Sequence, residues 1–209
     1  MVDQKKIHTQ CRSKNSKERI NALEQLKNSF SSLPDKQQAW DDLNTLTYDN
    51  ERYVRAGAIL TLGSLFSQIP DKKQAWDDLH RLAADNDGYV RAGAVQAIGS
   101  AFSQVPDKKQ AWNDIHRLTY DAELHARAGA AKALGSAFSQ VPDKQLAWDD
   151  LVRLTNDKDS NVRAQAASAL GSAFSQVPDK QQAHKQQAWD DLVRLTSDKD
   201  STMRSKAAS

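Results

Sequence analysis

Cysteine, glycine and long apolar runs are all scarce in this chain. Its 209 residues include one cysteine, Cys11. A single thiol cannot close an intrachain disulfide, so the fold must rest on packing, and a reducing compartment such as the cytoplasm suits it. No apolar run approaches the roughly 18 residues that span a bilayer. The opening stretch MVDQKKIHTQCRSKNSKER lacks the apolar segment of a signal peptide. Excess charge is missing too. Lys and Arg number 29 against 27 Asp and Glu, a net +2, so there is no blanket signal for nucleic acid or an anionic membrane. β-branched residues are sparse and period-two alternation is weak, which leaves no case for strands.

What the chain does have is a period. Pro34, Pro70, Pro106, Pro142 and Pro178 are each 36 residues apart, and Trp40, Trp76, Trp112 and Trp148 keep the same step. Trp189 comes five residues late, and Arg204 is equally late in the series Arg19, Arg55, Arg91, Arg127, Arg163. Between Pro178 and Trp189 the stretch DKQQAHKQQA contains KQQA twice, which marks a five-residue insertion. A fixed period in this range is the signature of a repeat architecture. The expected organisation is one repeat domain over 1–209: a degenerate first copy at 1–33, full copies at 34–69, 70–105, 106–141 and 142–177, and an incomplete copy at 178–209. The insertion should be absorbed before Trp189, leaving that residue packed as Trp148 is.

Each unit carries two helical patterns. In the first, Asp35 precedes Gln38 as in a capping box, and Ala39, Trp40, Leu43 and Leu46 recur at helical spacing. The second follows a polar turn and has the stripe Val54, Ala58, Leu62, Leu65, Ile69, with Pro70 expected to stop it. One such pair cannot bury its own stripes, but stacked copies can. Gly63, Gly99, Gly135 and Gly171 fall inside the second helices, where each costs about 1 kcal/mol relative to Ala. Their shared register calls for a bulky neighbour, and the tryptophan of an adjacent first helix is the expected one.

Each unit also places an Asp six residues before an Arg: Asp49 and Arg55, Asp85 and Arg91, Asp121 and Arg127, Asp157 and Arg163, Asp198 and Arg204. A guanidinium donates in a planar fork, so it can bridge turn carboxylates and carbonyls within or between units. The expectation is a structural ladder along the stack.

The run of Asp, then Val-Arg, then small residues, then ALG or AIG resembles the HEAT repeat of α-solenoid proteins, in its compact prokaryotic form. The first-helix Trp-Leu-Gly-Tyr pattern of the tetratricopeptide repeat is absent. The resemblance implies an all-α, right-handed solenoid of about six antiparallel helix pairs. It also implies a concave face, lined by second helices, that binds another protein. Polar Asn21, Glu24 and Lys27 in the first copy suit a capping repeat. At the other end SKAAS falls about halfway through a second helix, and the expectation is that the chain forms part of a longer protein.

Chemistry is hard to find. His80 and His116 share a slot in adjacent repeats, too far apart to share zinc, and are expected at the surface with the other histidines, His8, His125 and His184. The pairs Asp41–Asp42, Asp77–Asp78 and Asp149–Asp150 point about 100° apart on a helix and read as solvated. No phosphate loop, nucleophile motif or Cys/His cluster occurs. No catalytic, cofactor or metal site is therefore expected, and the His-Glu pairs of HEAT-like metal hydroxylases are missing.

Binding positions should vary between copies while the scaffold holds. On the second helix one side reads Tyr53, Gly57, Leu60, Ser64; then Tyr89, Gly93, Gln96, Ser100; then His125, Gly129, Lys132, Ser136; then Asn161, Gln165, Ser168, Ser172. A tyrosine beside a glycine makes a bump and a hollow for a partner's side chain. The expected function is a non-catalytic protein-binding scaffold or sensor module in the cytoplasm, monomeric in isolation. Its expected partner is a protein or peptide, with no membrane contact. One alternative is a solenoid that binds nucleic acid through the basic end formed by Lys5, Lys6, Arg12, Lys14, Lys17 and Arg19. The other is a HEAT-like enzyme, such as the HEAT-like DNA glycosylases, whose site the motifs do not reveal.

Overall fold

The structure, a computed structural model, describes residues 3–174 together with 176, 186, 189, 190 and 193–197. Among these, every regular element is helical. In order they are α1 (Gln4–Cys11), α2 (Ser16–Ser29), a 3₁₀ turn (Phe30–Ser32), α3 (Lys36–Leu46), α4 (Arg52–Leu65), α5 (Lys72–Leu82), α6 (Gly88–Ser100), α7 (Lys108–Leu118), α8 (Leu124–Ala137), α9 (Lys144–Leu154) and α10 (Ser160–Phe174). Two compact units result, Met1–Pro106 and Asp107–Ser209, and the division falls one residue past the start of the 106–141 copy.

The first helices start at the Asp caps that the pattern predicts, without the reciprocal bond of a capping box at Asp35, whose N–H donates to the Gln4 side chain. The carboxylate of Asp35 accepts from the Gln38 backbone N–H, Asp71 from Gln74, Asp107 from Gln110 and Asp143 from Leu146. The second helices end earlier than their apolar stripe. α4 stops at Leu65, and Ile69 is reached through a turn in which its N–H donates to the Leu65 carbonyl at 3.1 Å. Pro70 therefore opens the next unit without terminating the helix, and Ile69 is still buried.

Within the first unit α2, α4 and α6 lie side by side, and in the second α8 and α10 do the same. Val54, Ala58, Leu62 and Leu65 are all buried, and so are Phe30, Phe66, Phe102 and Phe138. Two of the helix-interior glycines, Gly63 and Gly135, mark where consecutive second helices touch. A Cβ on Gly63 would lie 2.9 Å from the Ala97 Cβ, and one on Gly135 would lie 2.9 Å from the Ala169 Cβ. The expected tryptophan is not the neighbour at Gly63 and Gly135. The next second helix approaches so closely that two small residues meet.

Trp40, Trp76, Trp112 and Trp148 are buried, 3% to 7% exposed. Trp189 is 57% exposed, which overturns the expectation that it packs like Trp148. The four buried rings are each followed by a described second helix, while the residues from 198 onward lie outside the described ones. Leu195, the counterpart of Leu154, is fully buried with Ala164 and Ala167, so that part of the register carries on past the insertion. The insertion around His184 also lies outside the described residues.

Candidate binding face and the polar ladders behind it

Within each unit periodic arginines tie one turn to the next. Arg55 donates from Nη1 to the carbonyls of Asp49 and Asn50, at 2.8 and 3.0 Å. Its Nε and Nη2 grip the carboxylate of Asp85, one repeat on, at 2.8 and 2.9 Å. Arg127 does the same with the carbonyls of Asp121 and Ala122 and the carboxylate of Asp157, at 2.7 and 2.9 Å. Arg91 reaches the carbonyls of Asp85 and Asn86, and Arg163 those of Asp157 and Lys158. The six-residue spacing thus joins Arg to a backbone carbonyl of its own turn, and the carboxylate partner is 30 residues on. Each Asp also orders its own turn: Asp49 accepts from the N–H of Glu51, Asp85 from Asp87, Asp121 from Glu123 and Asp157 from Asp159. Arg19 belongs to the same ladder through Asp49, a pair its place in the arginine series could have revealed. Asp198 and Arg204 lie outside the described residues.

Within each unit a second ladder runs through the first helices, and it corrects two expectations. Asp42, Asp78, Asp114 and Asp150 are buried, none more than 2% exposed, so only Asp41, Asp77 and Asp149 of each pair are solvated. Asp42 is bonded by Arg12 and lies 3.0 Å from His8 Nδ1. Asp78 accepts from the Asn44 side chain and from Arg81 Nη2, at 2.5 and 3.0 Å. Asp150 lies 2.6 Å from His116 Nδ1 and accepts from Arg153 Nη2 at 3.0 Å. His8 and His116 are therefore inter-repeat partners of buried carboxylates and not free surface residues. Arg81 and Arg153 continue inward to the buried hydroxyls of Thr47 and Thr119, at 2.9 and 2.7 Å. Each also lies over an exposed ring, Tyr48 or Tyr120, 3.7 Å from its centroid.

The face singled out as variable divides unevenly. Tyr53, Leu60 and Tyr89 are 61%, 62% and 53% exposed. Gly57, Gly93, Gln96 and His125 are half-buried, and Lys132 is exposed. Gln165 is buried and donates to the Asn161 side chain at 3.2 Å, which removes it from any binding face. The glycines beside the tyrosines also serve packing: a Cβ on Gly57 would meet Leu23 at 3.0 Å, and one on Gly93 would meet Ile59 at 3.4 Å. Cys11 is buried, and that burial, joined by the charge of Asp42, pushes its thiol up to about 12, far from a reactive thiolate. Among the described residues no group of three or more His, Cys, Asp or Glu side chains is placed to hold a metal ion.

Residues 77–171 match the family model described as HEAT repeats. Among solved structures, the chain is similar to an engineered protein over all of its length and 96% of that chain, with 24% identity and a TM-score of 0.70. It is also similar to a designed armadillo repeat protein in complex with the peptide (KR)4, with 20% identity and a TM-score of 0.67, covering 99% of this chain and 97% of that one. A further designed armadillo repeat protein gives 18% identity and a TM-score of 0.65 over 97% and 95% of the two chains. No curated protein gives a significant match.

Proposed function

We propose that this chain of HEAT-type repeats is a non-catalytic scaffold that binds another protein or a peptide through the exposed face of its second helices, in the cytoplasm. The observation that carries the reading is the exposure of Tyr53, Leu60 and Tyr89 on α4 and α6, beside the buried stripes of the same helices. Exposed aromatics of this kind are enriched at interfaces. A solved structure of the same fold holds a peptide, which supports a peptide-sized partner here. The alternative based on a basic N-terminal end loses ground because Arg12 and Arg19 are committed inward, to Asp42 and Asp49.

The test compares the full chain with the double variant Tyr53→Ala, Tyr89→Ala as immobilised baits in cell extract, read by mass spectrometry. Proteins held by the wild type and lost from the variant are the expected result. Identical capture by both baits would refute the assigned face.

A further inference from the structure

In the first unit the exposed tyrosines stand among neutral side chains of α4 and α6, while the equivalent slots of α2 carry exposed Lys17 and Glu24. Along α4 and α6, exposed Tyr53, Leu60, Ser64, Tyr89 and Ser100 and half-buried Gln96 are all neutral. At the margin of this stretch stand exposed Glu51 and Arg52, and the Arg52 cation is spoken for. Its Nη2 donates to the Tyr53 hydroxyl at 2.7 Å, and its Nη1 donates to Asp87 at 3.2 Å. The guanidinium carbon lies 4.6 Å from the centroid of the Tyr53 ring. Asp87 in turn caps α6, accepting from the N–H groups of Tyr89 and Val90 at 2.9 and 3.3 Å. One ion pair therefore anchors the Tyr53 ring to the start of the helix that carries Tyr89, and each partner cancels the other's charge.

We propose that this surface docks an uncharged, apolar segment of a partner polypeptide, and that Arg52 is a positioning residue that holds Tyr53 in place for it. The proposal rests on the binding reading above and adds the partner's chemistry. A charged side chain pressed between the two tyrosines would shed its water against neutral side chains of α4 and α6, a cost that an apolar side chain avoids. A ring already tethered by its hydroxyl and its face has less freedom left to lose on binding. Consecutive helices lie about 8–10 Å apart. The segment therefore presents two apolar side chains at about that separation, one against each tyrosine.

The experiment is selection of random peptides displayed on phage against the full chain, with affinities of synthetic copies measured at low and high salt. The expected peptides share a stretch free of Asp, Glu, Lys and Arg that carries two apolar or aromatic residues, and their affinity is insensitive to salt. The double variant Tyr53→Ala, Tyr89→Ala should weaken them about thirtyfold or more, the scale of losing an aromatic anchor. Arg52→Ala should weaken them by a smaller factor with no change in denaturant midpoint, which a merely structural residue would not do. If the selected peptides are charged and salt-sensitive yet depend on the tyrosines, the uncharged partner is wrong and the binding face stands. If Arg52→Ala leaves their affinity unchanged, the positioning role is wrong. If no peptide is selected, or binding ignores the tyrosines, the inference and the binding reading both fall.

Discussion

Arg127 shows how much a single side chain does in this fold. It is nearly buried and makes two bonds to the Asp157 carboxylate and two to carbonyls of its own turn. Truncating it strands all of these partners. Arg127→Ala should lower stability by about 2–3 kcal/mol, the scale for charged hydrogen bonds, as read from denaturant melts. An unchanged midpoint would remove the ladder from the list of stabilising devices. The same pair has a pH signature. Burial raises the Asp157 carboxyl, but the bonds from Arg127 and from the Asp159 N–H outweigh it and hold the group below its ordinary value of 3.8. A carboxylate depressed in the folded state adds stability that is complete above its unfolded value and is lost as pH falls through the folded one. The stability gap between the wild type and Asp157→Asn should therefore be widest at neutral pH and shrink as pH drops below 3.8. A gap that stays constant into acid would contradict the assignment. In the second ladder, Asp150→Ala would leave His116 and Arg153 without their shared partner, and should cost about 1–3 kcal/mol in denaturant melts, the scale of charged hydrogen bonds to partly exposed donors.

At the level of the helix, Gly63 is the clearest case of position prevailing over propensity. Gly63→Ala would gain about 1 kcal/mol of helix propensity. Its new methyl would sit 2.9 Å from the Ala97 Cβ, a rigid neighbour, so α4 and α6 must separate. Overpacking of this kind costs about 1–3 kcal/mol, and the expected net result is a loss. The swap Gly63→Ala with Ala97→Gly restores both volume and propensity, and should return the melting midpoint close to wild type. A double-mutant cycle with no coupling between the two sites would mean that the helices do not meet there. The helix starts were legible beforehand, because a cap and its N–H partner are three residues apart. The glycine contact was not, because its partner lies 34 residues on, and nothing local distinguishes Ala97 from Trp76 as the neighbour.

Across the whole molecule, stability should be local. In a stacked array each repeat answers mainly to its neighbours. Arg19→Ala cuts the tie from α2 to Asp49. It should speed amide exchange in α1 and α2 while leaving protection in α8 and α10 unchanged. Equal loss of protection throughout would show a single cooperative unit instead.

The period, the helix pairs, the capped starts, the apolar stripes and the small-residue register were all legible in the sequence, because each depends on residues within one or two helical turns. Burial of polar groups was decided only by the tertiary structure. Asp41 and Asp42 are chemically identical and adjacent, yet one is exposed and the other faces His8 and Arg12 of the preceding helix pair. Gln165 looked like a surface position and is buried, while Gly57 in the equivalent slot of α4 is half-buried. The reason is physical. A local pattern says which way a side chain points around its own helix, but whether water or another side chain waits there depends on a segment one full repeat away.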